Sequence, residues 1–196
     1  MIGVSGLARA GKDTMAQCLK KIVERELKCK VEIVHLADEL KSDLDKLIST
    51  KLNCLVFTEN NQEKELIRPI LVSYGEAMKK KHGKDVWLRK LNNKMQEKSK
   101  LEKIFYIVSD VRFDFEADFI KEDLNGCVIH ISKINNDIEP NDTEKLNDPL
   151  VRKKSDIKHS WPICHPNNMD TCQDHAEVLW QMLSEDRKNL WQKTLS

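Results

Sequence analysis

Charge of one sign is what this chain lacks: 33 Lys and Arg face 32 Asp and Glu, a formal net charge of +1 over 196 residues. That balance offers no general polyanion-binding surface, so nucleic acid is not expected as a bulk ligand. Long hydrophobic runs are absent too. No stretch approaches the roughly 20 apolar residues of a membrane span, and the N-terminus reads as a strand without the features of a signal peptide. No membrane partner and a cytoplasmic location are the expectations. The six cysteines, at positions 18, 29, 54, 127, 164 and 172, have no short framework spacing, so reduced thiols are expected.

What is present begins at the second residue. The apolar run Ile2 to Val4 leads into Gly6-Leu7-Ala8-Arg9-Ala10-Gly11-Lys12, a GxxxxGK string that opens straight into an amphipathic segment. Glycines let successive N–H groups turn inward on a polyphosphate, a helix N-terminus adds positive dipole, and the Lys12 ammonium reaches the outer phosphates. Met15, Cys18, Leu19, Ile22 and Val23 recur at helical spacing, which supplies the helix the motif requires. Gly6, Ala10, Gly11, Lys12, Asp13 and Thr14 are therefore the candidate nucleotide-binding residues. The position after the lysine holds Asp13 where a hydroxyl residue is usual, with Thr14 one place later. Either could serve Mg²⁺, the carboxylate directly or through water, and the alternative role of Asp13 is to complement the helix dipole.

With 40% hydrophobic and 33% charged residues, the chain suits one domain over 1–196 with a sizeable core and a well-solvated exterior. A strand is predicted at Val31 to Leu36, followed by a helical segment carrying Leu40, Leu44, Leu47 and Ile48. A second helical region has Leu66, Ile67, Ile70, Leu71, Tyr74 and Met78 on one stripe, with Arg68, Gly75 and Lys79 along the opposite edge. Pro69 disfavours helical geometry at Arg68, so the regular helix is expected to start only there. Lys84 to Met95 adds a helix with Arg89 on its outer side, and the places of Tyr74 and Trp87 on apolar stripes favour core packing over base stacking. Ile104 to Val108 reads as a strand buried on both faces of a parallel sheet, ending in Ser109-Asp110-Val111-Arg112. Ligands of open α/β sheets gather outside the carboxyl ends of the strands, which directs Asp110 and Arg112 toward the crevice of the phosphate loop. A helix from about Phe113 to Leu124 and a strand from Cys127 to Ser132 continue the alternation. The expected fold is a three-layer α/β arrangement around a mostly parallel central sheet.

Residues 133 to 160 break the pattern: Asn, Asp and Pro are dense, no apolar period is sustained, and Arg152, Lys153 and Lys154 form a basic patch. The stretch reads as a lid over about 133–160 or, alternatively, as a solvated insertion. Cys164, His165, Cys172 and His175 could be drawn as zinc ligands. A strand from Trp161 to His165, a turn from Pro166 to Met169 and a cap at Asp170 account for the same residues without metal. A closing helix from Gln173 to about Trp191 reads as architectural, with Ala176, Leu179, Leu183 and Leu190 on one side.

The string GxxxxGKDT at Gly6 to Thr14 is followed in order by His35-Leu36-Ala37-Asp38-Glu39-Leu40-Lys41, an Arg68 to Trp87 region ending in Asp85-Val86-Trp87, Ser109-Asp110-Val111-Arg112-Phe113 with Glu116-Ala117, and Val128-Ile129-His130-Ile131. Together these resemble the phage-type and viral deoxynucleoside monophosphate kinases of the P-loop kinase superfamily. Animal-type phosphomevalonate kinases resemble the chain as well, through the loop, a Leu-Lys after the second strand and a strand ending in Ser-Asp-x-Arg. Where the kinases tend to show His-x-Ser-Glu, this chain has His159-Ser160-Trp161.

The resemblance implies a P-loop NTPase-like kinase fold with an acceptor-binding helical region at about 55–100. It implies ATP and Mg²⁺ as cofactors, and transfer of the ATP γ-phosphoryl group to a deoxynucleoside 5′-monophosphate, with phosphomevalonate as the alternative acceptor. Lys12, Arg9 and Arg112 take the catalytic roles in that picture; Lys41, Arg68, Arg89, Asp110 and Arg112 hold substrate; Asp13, Thr14 and Asp110 serve the metal. Arginine suits the task because its planar fork matches phosphate oxygens. A viral enzyme would work in the host cytoplasm, and homodimer formation is left open. A GTP-operated switch is opposed by Asn93-Lys94-Met95-Gln96, which lacks the final aspartate of an NKxD guanine reader, and by the absence of glycine at the DxxG position after Asp110.

Overall fold

Five strands, β1 (Ile2–Ser5), β2 (Lys30–Val34), β3 (Ile104–Val111), β4 (Cys127–Lys133) and β5 (Ile157–Trp161), form one sheet in the order β2-β3-β1-β4-β5. Every neighbouring pair is parallel, as the expected fold requires. The computed structural model describes residues 1–134, 139–162 and 169–195. Its backbone divides into two units, Met1–Val34 with Lys98–Ser196, and His35–Glu97.

In the first unit, alternate residues of the strands join a single apolar cluster: Ile2 and Val4, Phe105 and Ile107, Ile129 and Ile131 pack with Met15, Leu19 and Ile22 of α1 (Lys12–Leu27). Ala176, Leu179 and Trp180 of α7 (Met169–Met182) and Trp191 of α8 (Glu185–Leu195) complete it. The residues between them face the other way. A Cβ on Gly3 would stand 2.8 Å from Ile120, in the π-helical turn Phe119–Asp123 that continues α5 (Asp114–Asp118). Helix α6 (Asp142–Lys154) also contacts β4. Helices therefore cover both faces, and the near-continuous apolar reading of β3 follows from burial on two sides.

The second unit is helical: α2 (Leu36–Leu52), α3 (Asn61–His82) and most of α4 (Val86–Ser99). Leu44, Ile48, Cys54, Val56 and Ile67 form its core, with Ile70, Leu71 and Tyr74 packed against them. Gly75 is buried, not on an outer edge, because α2 approaches so closely that a Cβ there would meet Leu40 at 2.7 Å.

Several boundaries differ from expectation. α3 begins at Asn61 and runs straight through Pro69, because Asn60 caps it by accepting from the N–H groups of Gln62 and Glu63. That cap fixes the start eight residues before the proline, whose missing hydrogen bond costs one rung. The described part of the stretch 133–160 contains α6, begun by the capping box Asn141/Glu144, and β5. The helical character of α6 was hidden by Pro149 and by the solvent-facing Leu146 and Leu150, which blur the apolar stripe. The last strand ends at Trp161, where the sequence reading started one, and residues 163–168 of the expected strand and turn lie outside the described residues. The closing helix is two helices, broken before Ser184, whose side-chain type and the acidic pair Glu185-Asp186 start α8 afresh.

Cys18, Cys29, Cys54 and Cys127 are free thiols. Cys172 is disulfide-bonded, against the expectation of reduced thiols throughout. Cys164 and His165 of the drawn zinc set lie outside the described residues, and no cluster of three or more His, Cys, Asp or Glu side chains that could hold a metal occurs among the described ones. No described helix is long and apolar enough to cross a membrane.

Candidate active site

The β1–α1 loop is shaped by two glycines that no other residue could replace without strain. Gly6 has φ +142°, and a Cβ there would lie 2.2 Å from the Ile131 carbonyl oxygen of β4. Gly11 has φ +83°, and a Cβ there would lie 2.5 Å from Trp161 Cζ2. Trp161 is buried and its Nε1 donates to the Ala10 carbonyl at 2.9 Å, so β5 braces the loop from beneath. Within the loop, Lys12 Nζ donates to the carbonyls of Gly6 and Leu7, both at 2.9 Å. Burial pulls the Lys12 ammonium below the ordinary lysine range and Arg112 adds to this, while Asp13, Glu144 and Asp110 act in the opposite sense. Arg9 is exposed at the loop tip with φ 57°.

Asp13, in the first turn of α1, accepts a 2.8 Å hydrogen bond from the Ser109 hydroxyl at the end of β3. That bond joins the phosphate loop to the Ser109-Asp110 strand end, the two segments from which the sequence drew its metal ligands. Carboxylate and hydroxyl oxygens of Asp13, Thr14 and Asp110 are hard donors of the kind that Mg²⁺ accepts, largely through water. The donor set thus fits the ion.

Arg112 follows directly. Its backbone N–H and that of Phe113 both donate to Glu116 Oε2, at 2.7 and 3.0 Å, so one buried carboxylate fixes the corner between β3 and α5. The exposed Arg112 lines a small pocket together with Gly6 and Leu7. The structure therefore brings together Gly6, Ala10, Gly11, Lys12, Asp13 and Arg112 in the first unit.

Sequence reasoning missed the contribution of α6. Glu144 Oε1 accepts from the Ala8 N–H of the phosphate loop at 3.1 Å, and one turn later Asp148 Oδ1 meets Nε2 of the buried His130 at 3.0 Å. The Asn-x-x-Glu capping pattern at Asn141 to Glu144 was the available signal. Nothing local in the sequence marks Trp161 as the brace of the loop.

The remaining candidates belong to the helical unit. Arg68 is exposed and pairs with Glu65 at 3.3 Å. Arg89 pairs with Asp85 and donates to the His82 carbonyl at 2.6 Å. Lys41 lies 5.3 Å from the centre of the exposed Phe57 ring. Tyr74 and Trp87 have ring centres 6.0 Å apart, and the Tyr74 hydroxyl donates to Asp43 at 3.0 Å, so both serve packing.

The sequence model of the phosphomevalonate kinase family matches residues 4–126, more than half of the chain. Among solved structures, the dephospho-CoA kinase from Campylobacter jejuni is similar at 16% identity, over 94% of this chain and 97% of that one, with a TM-score of 0.46. No curated protein matches the sequence.

Proposed function

Because the chain belongs to the phosphomevalonate kinase family, it is an ATP-dependent phosphotransferase of the P-loop type, and we propose that it moves the γ-phosphoryl group of ATP onto the phosphate of a small phosphomonoester. The observation that supports this most is the Gly6–Lys12 loop, with the half-buried Lys12 bonded inside it and the residue Arg112 lining a pocket with Gly6 and Leu7.

An acceptor phosphate is already anionic at neutral pH, so the protein's task is to align two polyanions and neutralise charge on the group in flight. Loop N–H groups and Lys12 hold the donor in this reading, Arg9 leans over its outer phosphates, and Arg112 clamps the transferring group with its planar fork. Asp13, Thr14 and Asp110 would hold Mg²⁺, which when bound offsets phosphate charge. Lys41, Arg68 and Arg89 are assigned to the acceptor. Their present partners are carboxylates of the same helical unit, exposed at Glu65 and half-buried at Asp38 and Asp85. Surface pairs of this kind contribute about 0–1 kcal/mol, so exchanging one for a dianionic phosphate costs little.

Phosphomevalonate is the acceptor that family membership favours. A deoxynucleoside 5′-monophosphate is the second reading, favoured by the Asp85-Val86-Trp87 motif. The test is a coupled ADP-release assay run in parallel with phosphomevalonate and each deoxynucleoside monophosphate. Turnover of one class alone identifies the acceptor. ATP binding without turnover of any phosphomonoester defeats the proposal.

A further inference from the structure

Helix α6 is anchored unevenly. At its C-terminal end, Lys154 pairs with Asp114 and Asp118, the Lys154 carbonyl accepts from Lys121 Nζ at 2.7 Å, and Val151 is buried. Asp148 is tied to His130 in the middle of the helix. Pro149 follows at once, and its missing N–H breaks the helical ladder between the anchored half and the first two turns. At the N-terminal end the Glu144 side chain ties the helix to the phosphate loop, accepting from the Ala8 N–H.

That side chain is an unusual partner for this N–H. A phosphate loop collects backbone N–H groups for anionic oxygens, and here a carboxylate oxygen occupies one of them. Glu144 is also close enough to Lys12 to act on its charge, and Lys12 is the group that reaches toward the outer phosphates. Glu144 therefore opposes the terminal end of a polyphosphate and not the nucleoside.

We propose that Glu144 is a built-in place-holder for the donor's outer phosphate: its carboxylate holds the Ala8 N–H and must leave it, with the first turns of α6, when ATP enters. This rests on the reading of the loop as the donor site. The exchange is biased by charge, because a carboxylate left beside a phosphate repels it. The departing residue keeps a partner in its own helix, since Glu144 Oε2 accepts from the Asn141 N–H at 3.3 Å in the capping box. Glu144 is thus a positioning residue that sets how tightly the donor is held and couples its arrival to movement of α6.

Glu144→Gln separates this from a structural role. Glutamine retains a carbonyl oxygen for Ala8 and serves equally well in a capping box, so the fold is kept while the charge is lost. Binding of a non-hydrolysable ATP analogue, of ADP and of adenosine would be measured by calorimetry for both proteins. The expected result is about tenfold tighter binding of the ATP analogue, equivalent to about 1.4 kcal/mol, a smaller gain for ADP, and no change for adenosine. Unchanged or weaker analogue binding, or an equal change for all three ligands, would overturn the proposal and make Glu144 a brace. If neither protein binds the analogue, the donor-site reading falls and takes this role with it. Binding by the variant alone would support the place-holder most strongly.

Discussion

Replacing Gly11 by alanine tests whether the phosphate loop owes its shape to the tryptophan beneath it. Two penalties are distinct in the structure. The backbone at Gly11 has φ +83°, where a residue with a Cβ is strained; holding an L-residue in the left-handed region costs roughly 1–2 kcal/mol. The new methyl would also stand 2.5 Å from Cζ2 of Trp161, a buried side chain whose Nε1 is already committed to the Ala10 carbonyl. The ring cannot swing away without giving up that bond, so an overpacking cost of roughly 1–3 kcal/mol is added. The sum is about 2–5 kcal/mol, a large share of the stability of a typical domain. Urea unfolding of four proteins decides the matter: the parent, Gly11→Ala, Trp161→Phe and the double variant. Phenylalanine lacks the atom that clashes, so in its background Gly11→Ala should cost the backbone penalty alone, leaving a coupling of about 1–3 kcal/mol between the sites. Equal costs in the two backgrounds would refute the reasoning, because the loop would then be indifferent to β5.

Other expectations are simpler. Lys12→Ala should lose about 2–4 kcal/mol of transition-state stabilisation, read from kcat/KM for ATP, as removal of a preorganised charged contact does; unchanged turnover would remove the loop from the chemistry. Arg112→Lys should be far from conservative, because an ammonium cannot reproduce a two-pronged contact, and equal kcat in parent and variant would take Arg112 out of the site. His159 is held below the usual histidine range, first by burial and then by His175, whose Nδ1 lies 2.8 Å from its Nε2. The unfolded chain then binds more protons than the folded one, so stability is complete above about pH 6.5 and declines as the pH falls below it. His159→Gln should flatten the fall in urea midpoint between pH 7.5 and 5.5, and an undiminished slope would assign the fall to other groups.

Much of the sheet unit was legible because its signals are local. Gly6 and Gly11 must be glycine wherever they occur in such a loop, and the alternation of apolar runs with helical stripes specifies parallel pairing before any contact is known. The strand end at Ser109 to Arg112 was legible for the same reason, since its place beside the loop follows from the sheet. What stayed hidden depends on pairs distant in sequence. Trp161 meets Ala10 across 151 positions and Glu144 meets Ala8 across 136, and neither leaves a periodic trace. α6 was hidden twice over, by Pro149 inside it and by Leu146 and Leu150 that face solvent and so blur the apolar stripe. Pro69 misled in the opposite direction, because a cap nine residues upstream outweighs one lost rung in α3.

The loop's own bonds also determine what its affinity means. Lys12 is satisfied by the Gly6 and Leu7 carbonyls, Ala8 by Glu144, the Ala10 carbonyl by Trp161, and Asp13 by Ser109. A polyphosphate entering such a loop exchanges existing hydrogen bonds for new ones, and only the difference contributes to binding. Lys12 must leave two carbonyls to reach an outer phosphate, and Glu144 must vacate an N–H. The Trp161 and Ser109 bonds need not move. The loop accordingly divides into a fixed half, which holds its curvature, and an exchangeable half, which meets the outer phosphates. Variants of the fixed half should alter stability and nucleotide binding together, whereas variants of the exchangeable half should alter the preference for triphosphate over diphosphate with little effect on stability.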